Sequence, residues 1–209
     1  MISSIPTMCC IVGALLLVLP YVLSEPIDLG IAIDVSTPMR YAVKDAKILA
    51  KKLVKSFDIG ADKTHVAAMA FAEDSQSIFS FNAFNDAALD KKNLIRKINA
   101  VKSRKSGPRF DLAMKFANDT LFSSKHGMRK NSRKIFVMLS DARLEGSKDD
   151  PTIGKAVQPL KSRGILIQIV GFKWYDLTHM LKIASEDSFI YALKHMKSDE
   201  IVKYIKEGH

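Results

Sequence analysis

The residues best placed to do chemistry are oxygen donors. In the stretch DLGIAIDVSTPMR, an apolar run from Leu29 to Ile33 ends in Asp34, and Ser36 and Thr37 follow within three positions. A second acid, Asp141, closes another apolar run, IFVMLSD. Two carboxylates with hydroxyls nearby are the donor set of a hard divalent cation. The first loop has a gap in that pattern: position 38 is Pro, which supplies neither a side-chain oxygen nor a backbone N–H.

For Asp34 and Asp141 to act together, the elements carrying them must bring two distant segments to one edge. Apolar, β-branched runs alternate along the chain with amphipathic segments, the order of a parallel sheet covered by helices. IDLGIAID reads as the first strand. From Arg40 to Phe57 the apolar Ala42, Val43, Ala46, Ile48, Leu49, Leu53, Val54 and Phe57 recur at helical spacing with lysines between them, which predicts one long helix. THVAAMAF and QSIFSF, separated by AEDS, read as a hairpin and make the sheet mixed. Helices are expected over Asp86 to Val101, Asp111 to Phe122, Pro151 to Ser162, Leu177 to Ala184 and Ser198 to Lys206. GILIQIVGF and SFIYAL complete the strands. In a parallel sheet, acids at the carboxyl ends of two strands share one edge, where ligand sites form.

The chain opens on an uncharged apolar segment, Met8 to Leu23, with Val22 and Ser24 at positions where a signal peptidase prefers small residues. Residues 1–24 are therefore read as a signal peptide and residues 25–209 as one domain, secreted to the extracellular space or matrix; an uncleaved anchor is the competing reading. Both cysteines, Cys9 and Cys10, fall inside the leader, so the remaining chain has no disulfide. The sequon Asn118-Asp119-Thr120 is a glycosylation site if exposed.

The formal net charge of +10 is concentrated: Lys91 to Lys134 holds fourteen Lys or Arg against two acids. Such clustering raises the local potential and favours an anionic partner. Two loops carry the charge, one with Lys102, Arg104, Lys105 and Arg109, the other with Arg129, Lys130, Arg133 and Lys134. These eight are the candidate polyanion-binding residues, provided that the loops adjoin in space. Nucleic acid is not the expected polyanion, because Phe110 is the one aromatic near KSRKSGPR and single-strand binders interleave several stacking rings. No G-x-S-x-G, phosphate-cradling glycine loop or Cys/His cluster is present, so an enzyme is not expected. The five histidines are scattered and read as surface or packed residues. Trp174, in GFKWYD after a buried strand, is expected to close the sheet edge, with a partner anchor as the alternative.

Taken together, DLGIAIDVSTP, DKTHVAAMAFAEDSQSIFSFN, SGPRFDLAMKFANDTLF, KIFVMLSDARLEGSKDDP and LKSRGILIQIVGF resemble the von Willebrand factor type A domain over nearly the whole chain after residue 24. The resemblance implies a doubly wound, mostly parallel α/β sheet with one antiparallel edge strand and helices on both faces. It also implies a metal-ion-dependent adhesion site, an Asp-x-Ser-x-Ser loop with a later Thr and a later Asp. Asp34, Ser36 and Asp141 match that pattern. Pro38 stands at the second Ser, and Pro108 stands where the Thr should be. By the family's pattern two of three directly ligating hydroxyls are gone, leaving at most a weakly held, mostly hydrated Mg²⁺ and no resident cofactor. Asp111, beside the altered loop, could compensate, but a helix-start acid is the simpler role. The function expected is a non-enzymatic binding module of the extracellular matrix with a degenerate adhesion site. Its partner would be a matrix protein such as collagen or a sulfated or acidic polyanion, with no membrane attachment once the leader is removed. The alternatives are a metal-dependent adhesion domain that retains its cation and a glycosaminoglycan-binding protein.

Overall fold

Alternation along the first strand, β1 (Ile27–Asp34), sends Leu29, Ile31 and Ile33 to one face of a sheet and Gly30 and Ala32 to the other, and every residue after Ile27 is buried. The computed structural model describes residues 25–85, 91–144 and 151–208. The leader assigned to residues 1–24 lies outside them.

Five further strands join β1: β2 (Thr64–Phe71), β3 (Ser75–Phe79), β4 (Arg133–Leu139), β5 (Ile165–Gly171) and β6 (Ile190–Ala192). Their order across the sheet is β3-β2-β1-β4-β5-β6, and β3 alone runs antiparallel, as the hairpin signal implied. Helices α1 (Val43–Ser56), α2 (Lys91–Ala100) and α6 (Ser198–Glu207) pack on the Leu29–Ile31–Ile33 face, burying Leu49, Leu53, Ile98 and Ile205. The other face takes α3 (Phe110–Phe116), α4 (Pro151–Ser162) and α5 (Leu177–Ile183), with Phe122 and Phe136 in edge contact between them. The layers are those of a doubly wound sheet. Among the described residues no helix is long and apolar enough to cross a membrane.

Two helices differ from the sequence reading. The helix expected from Arg40 begins as a separate 3₁₀ turn, Pro38–Tyr41, because proline presets the tight first turn and α1 starts only at Val43. The helix expected over Asp111 to Phe122 ends as α3 at Phe116 and continues as one π-helical turn, Ala117–Leu121. Only the part from Lys91 of the helix expected at Asp86 falls within the described residues.

Gly30 has a packing reason. A Cβ there would lie 2.6 Å from Cζ of Phe122, a ring that is fully buried. The missing side chain lets the π-helical turn close on the sheet.

Candidate functional site at the carboxyl edge of the sheet

Strand order reverses between β1 and β4, and that switch point is where open α/β sheets leave a crevice for ligands. Asp34 ends β1 there, and Ser140 and Asp141 follow β4 directly. The two predicted acids do share the edge.

Asp34 is fully buried and both of its oxygens are engaged. Oδ1 accepts the Ser36 N–H at 2.9 Å, and Oδ2 accepts the Ser140 hydroxyl at 2.6 Å. The same Ser140 Oγ accepts the Ala142 N–H at 2.9 Å. Asp141, nearly buried, accepts the Arg143 N–H at 3.1 Å through Oδ1, and its carbonyl receives the Asp176 N–H at 2.8 Å. Ala142 stands at φ 55, a left-handed conformation that is strained for a residue with a Cβ. Its carbonyl lies 3.0 Å from Nδ1 of the buried His179, which thereby fixes the turn.

The Gly/Pro loop lies at the same edge. Arg104 N–H donates to the Val35 carbonyl at 2.7 Å, Thr37 N–H to Ser106 at 2.9 Å and Arg109 N–H to Ala72 at 2.8 Å, so residues 104–109 lie across the strand ends and Pro108 is buried among them.

Burial dominates the electrostatics. It pushes the Asp34 carboxyl up to about 6, against hydrogen bonds from Ser140 and Ser36 that pull it down, with the nearby Asp141 adding a smaller upward push. Burial also raises Asp141, partly countered by the Arg143 N–H and charge. A divalent cation prefers the ionised carboxylates and about six oxygens. What the chain offers it is the Ser36 hydroxyl, buried and without a partner, and two acids whose inward oxygens already accept protein donors. Pro38 and Pro108 contribute carbon. Asp111 does not compensate, because Arg109 holds it through two hydrogen bonds at 2.9 and 2.7 Å and keeps its carboxyl below the usual range. The residues present do not fit an ion ligated directly in the family's manner. Among the described residues no group of three or more His, Cys, Asp or Glu is placed to hold a metal.

The two basic loops do not adjoin. Lys102, Arg104, Lys105 and Arg109 lie at the carboxyl edge beside Asp34, whereas Arg129, Lys130, Arg133 and Lys134 lead into β4 at the opposite edge. The intervening α3 and its π-helical turn run the height of the sheet, which is why the two loops end up apart. Their charges are not all available either. Arg104 pairs with Asp74 and Arg109 with Asp111. Arg129 is a structural residue: its N–H and Nε hold the fully buried Asp28 at 2.7 and 2.8 Å, and its guanidinium also donates to the carbonyls of Ala61, Ile27 and Lys63. Lys134 Nζ caps the Ser132 carbonyl at 2.7 Å. Lys102, Lys105 and Lys130 remain exposed.

Asn118 falls in the π-helical turn, half-buried, with its amide donating to Asp119 and its side-chain oxygen accepting from Arg163. Trp174 does not close the sheet edge. It is 70% exposed, because the loop after β5 turns outward at Lys173, whose φ is 48. Ser140 was not singled out in the sequence, where its signal was its place immediately before Asp141; His179, one of the histidines read as surface or packed, is packed.

Comparison with known proteins agrees with this geometry. The chain is 25% identical over 170 residues to Matrilin-4 of Mus musculus, covering 79% of this chain and 26% of that protein. It is 28% identical over 143 residues to the collagen alpha-1(XII) chain of Notophthalmus viridescens, covering 67% of this chain and 14% of that one. It thus spans only 26% and 14% of the length of these two relatives. Among solved structures, proximal thread matrix protein 1 from the mussel byssus, with a zinc-occupied MIDAS motif, superposes with a TM-score of 0.71 at 17% identity, over 88% of this chain and 47% of that chain. That similarity concerns the fold alone. The profile of the von Willebrand factor type A domain matches residues 28–205, the span that runs from the first strand through the last helix. The chain, strand order, edge acids and all, belongs to the von Willebrand factor type A domain family.

Proposed function

We propose that this domain is a non-enzymatic, secreted binding module of the extracellular matrix that engages its partner at the carboxyl edge of the sheet without depending on a tightly held divalent cation. One observation carries the reading. Both oxygens of Asp34 are satisfied inside the protein, while prolines replace two hydroxyls of the family's site. Asp34 and Ser36 then serve to order the loop through local side-chain to backbone bonds. The relatives, a matrilin and a collagen chain, support a matrix partner. A chain released after Ser24 would begin at Glu25, and N-terminal sequencing of secreted material checks that start.

The deciding experiment is a binding screen of residues 25–209 against collagens, sulfated glycans and acidic matrix proteins, with and without EDTA. Binding that survives EDTA supports the reading. Millimolar Mg²⁺ should shift the thermal midpoint little, since ligand stabilisation grows only as the logarithm of concentration over Kd. The double substitution Pro38→Ser with Pro108→Thr should raise the affinity for Mg²⁺. Binding abolished by EDTA would return the protein to the metal-dependent members of its family. A second reading, polyanion binding, is favoured by the exposed Lys102 and Lys105 beside the same edge.

A further inference from the structure

Beside Asp34 and Asp141 lies a feature that belongs to neither basic loop. The turn after β1 and the loops after β4 and β5 surround an open hollow of about 390 Å³, with Thr37 and Pro38 at its base and Arg40, Tyr41, Arg143 and Trp174 around it. Tyr41 and Trp174 are 62% and 70% exposed, in a domain whose phenylalanines are mostly core. The cations nearby are placed against these rings. The Arg40 guanidinium lies 4.4 Å from the Tyr41 ring centroid, and Lys173 Nζ lies 5.4 Å from Tyr41 and 5.5 Å from Trp174. Two of the enclosing turns hold residues at positive φ, Ala142 and Lys173, so their positions are set by the fold against local preference.

Among the described residues no acid lines the hollow and none of Arg40, Arg143 and Lys173 forms an ion pair. Asp176, two residues beyond Trp174, is turned to its own helix, where it accepts the His179 N–H. The Thr37 N–H bond to Ser106 joins the hollow to the loop that carries Lys102 and Lys105. A ligand longer than the hollow would therefore meet further positive charge.

Three cations that form no ion pair among the described residues call for an anion. Two flat, exposed rings call for an apolar face to cover them, and exposed Trp, Tyr and Arg together are the residues that dominate binding energy. An acidic peptide answers the cations but has no repeated flat face for the rings. A sulfated sugar chain offers both, since each pyranose presents a flat C–H face and its sulfate esters accept from Arg and Lys. Resting on the reading of the domain as a matrix-binding module, we propose that this hollow seats a sulfated glycosaminoglycan, with Trp174 and Tyr41 stacking on sugar rings and Arg40, Arg143 and Lys173 taking the sulfates.

Trp174 is the chain's single tryptophan, so its fluorescence reports on this hollow directly. A defined heparin hexasaccharide, titrated into residues 25–209 in EDTA, should change the emission of Trp174 saturably. Arg40→Ser with Lys173→Ser should weaken the hexasaccharide by at least about tenfold, as loss of charge-assisted hydrogen bonds implies, whereas Lys51→Ser with Lys203→Ser should change it little. Trp174→Ala should lower retention on immobilised heparin with its thermal midpoint unchanged. An emission that stays silent while heparin is still retained, equal weakening by both pairs of substitutions, or equal competition by poly-glutamate would overturn the assignment. Binding to matrix proteins with a silent Trp174 defeats the sugar site alone; no binding to any matrix ligand defeats the module reading as well.

Discussion

Replacing Asp34 by Asn isolates the electrostatics of the candidate site. Asn keeps an oxygen for the Ser36 N–H and loses the charge. In the wild type, burial moves the carboxyl from 3.8 to about 6, while in the unfolded chain it titrates near its ordinary value. Between about pH 4 and 6 the folded protein therefore holds a proton that the unfolded chain has released. The unfolded state binds fewer protons there, so the contribution of Asp34 to stability is fully present below about pH 4 and is lost as pH rises through about 6. The shift from 3.8 to about 6, at roughly 1.4 kcal/mol per unit, amounts to about 3 kcal/mol. Against a typical stability of about 5–15 kcal/mol such a change is readily measured. Asp141 is raised for the same reason and tilts the wild-type curve in the same direction, so the informative quantity is the difference between the two proteins. Urea unfolding in EDTA at intervals from pH 4 to 7.5 should show wild-type stability falling relative to Asp34→Asn by about 3 kcal/mol. A difference that is flat with pH, or that rises, would refute the reasoning, because a rise means that the ionised carboxylate is the stabilised form. Repeating the series in millimolar Mg²⁺ tests the metal directly, since an ion ligated by Asp34 would reverse the slope.

Arg129→Ala should destabilise the domain by about 3–5 kcal/mol, the consequence of leaving Asp28 buried and unpaired, and lower the thermal midpoint by about 6–20 °C; an unchanged midpoint would show that the pair is dispensable. Ala142→Gly should raise stability by up to about 1 kcal/mol in urea unfolding, because relief of the left-handed strain slightly outweighs the added freedom of the unfolded chain. Gly30→Ala should cost about 1–3 kcal/mol, since the new methyl meets a Phe122 ring with no room to retreat, and a silent substitution would mean that the π-helical turn shifts easily.

Features that depend on near neighbours in the chain were legible before folding is considered. Apolar runs, turn signals and helical periodicity located β1, the β2–β3 hairpin and the body of α1, since a half-buried helix must repeat its apolar residues at its own period. Once the sheet is parallel, two strands that each end in an acid must place Asp34 and Asp141 on one edge, and the prolines at 38 and 108 were visible by position alone. The state of the charged and polar groups emerges on folding, because solvation and partners come from residues far apart in the chain. Asp34 finds Ser140 across 106 positions, and Asp28 finds Arg129 across 101, which removes that arginine from the basic surface. The loops at 102–109 and 129–134 are close in sequence and opposite in space, because the helical segment between them spans the sheet. Trp174 follows a buried strand and is nonetheless exposed, since the turn at Lys173 points the loop outward beside Tyr41 and Arg40. Charge and ring type are fixed residue by residue, but whether a charge is paired or a ring covered is settled by long-range packing.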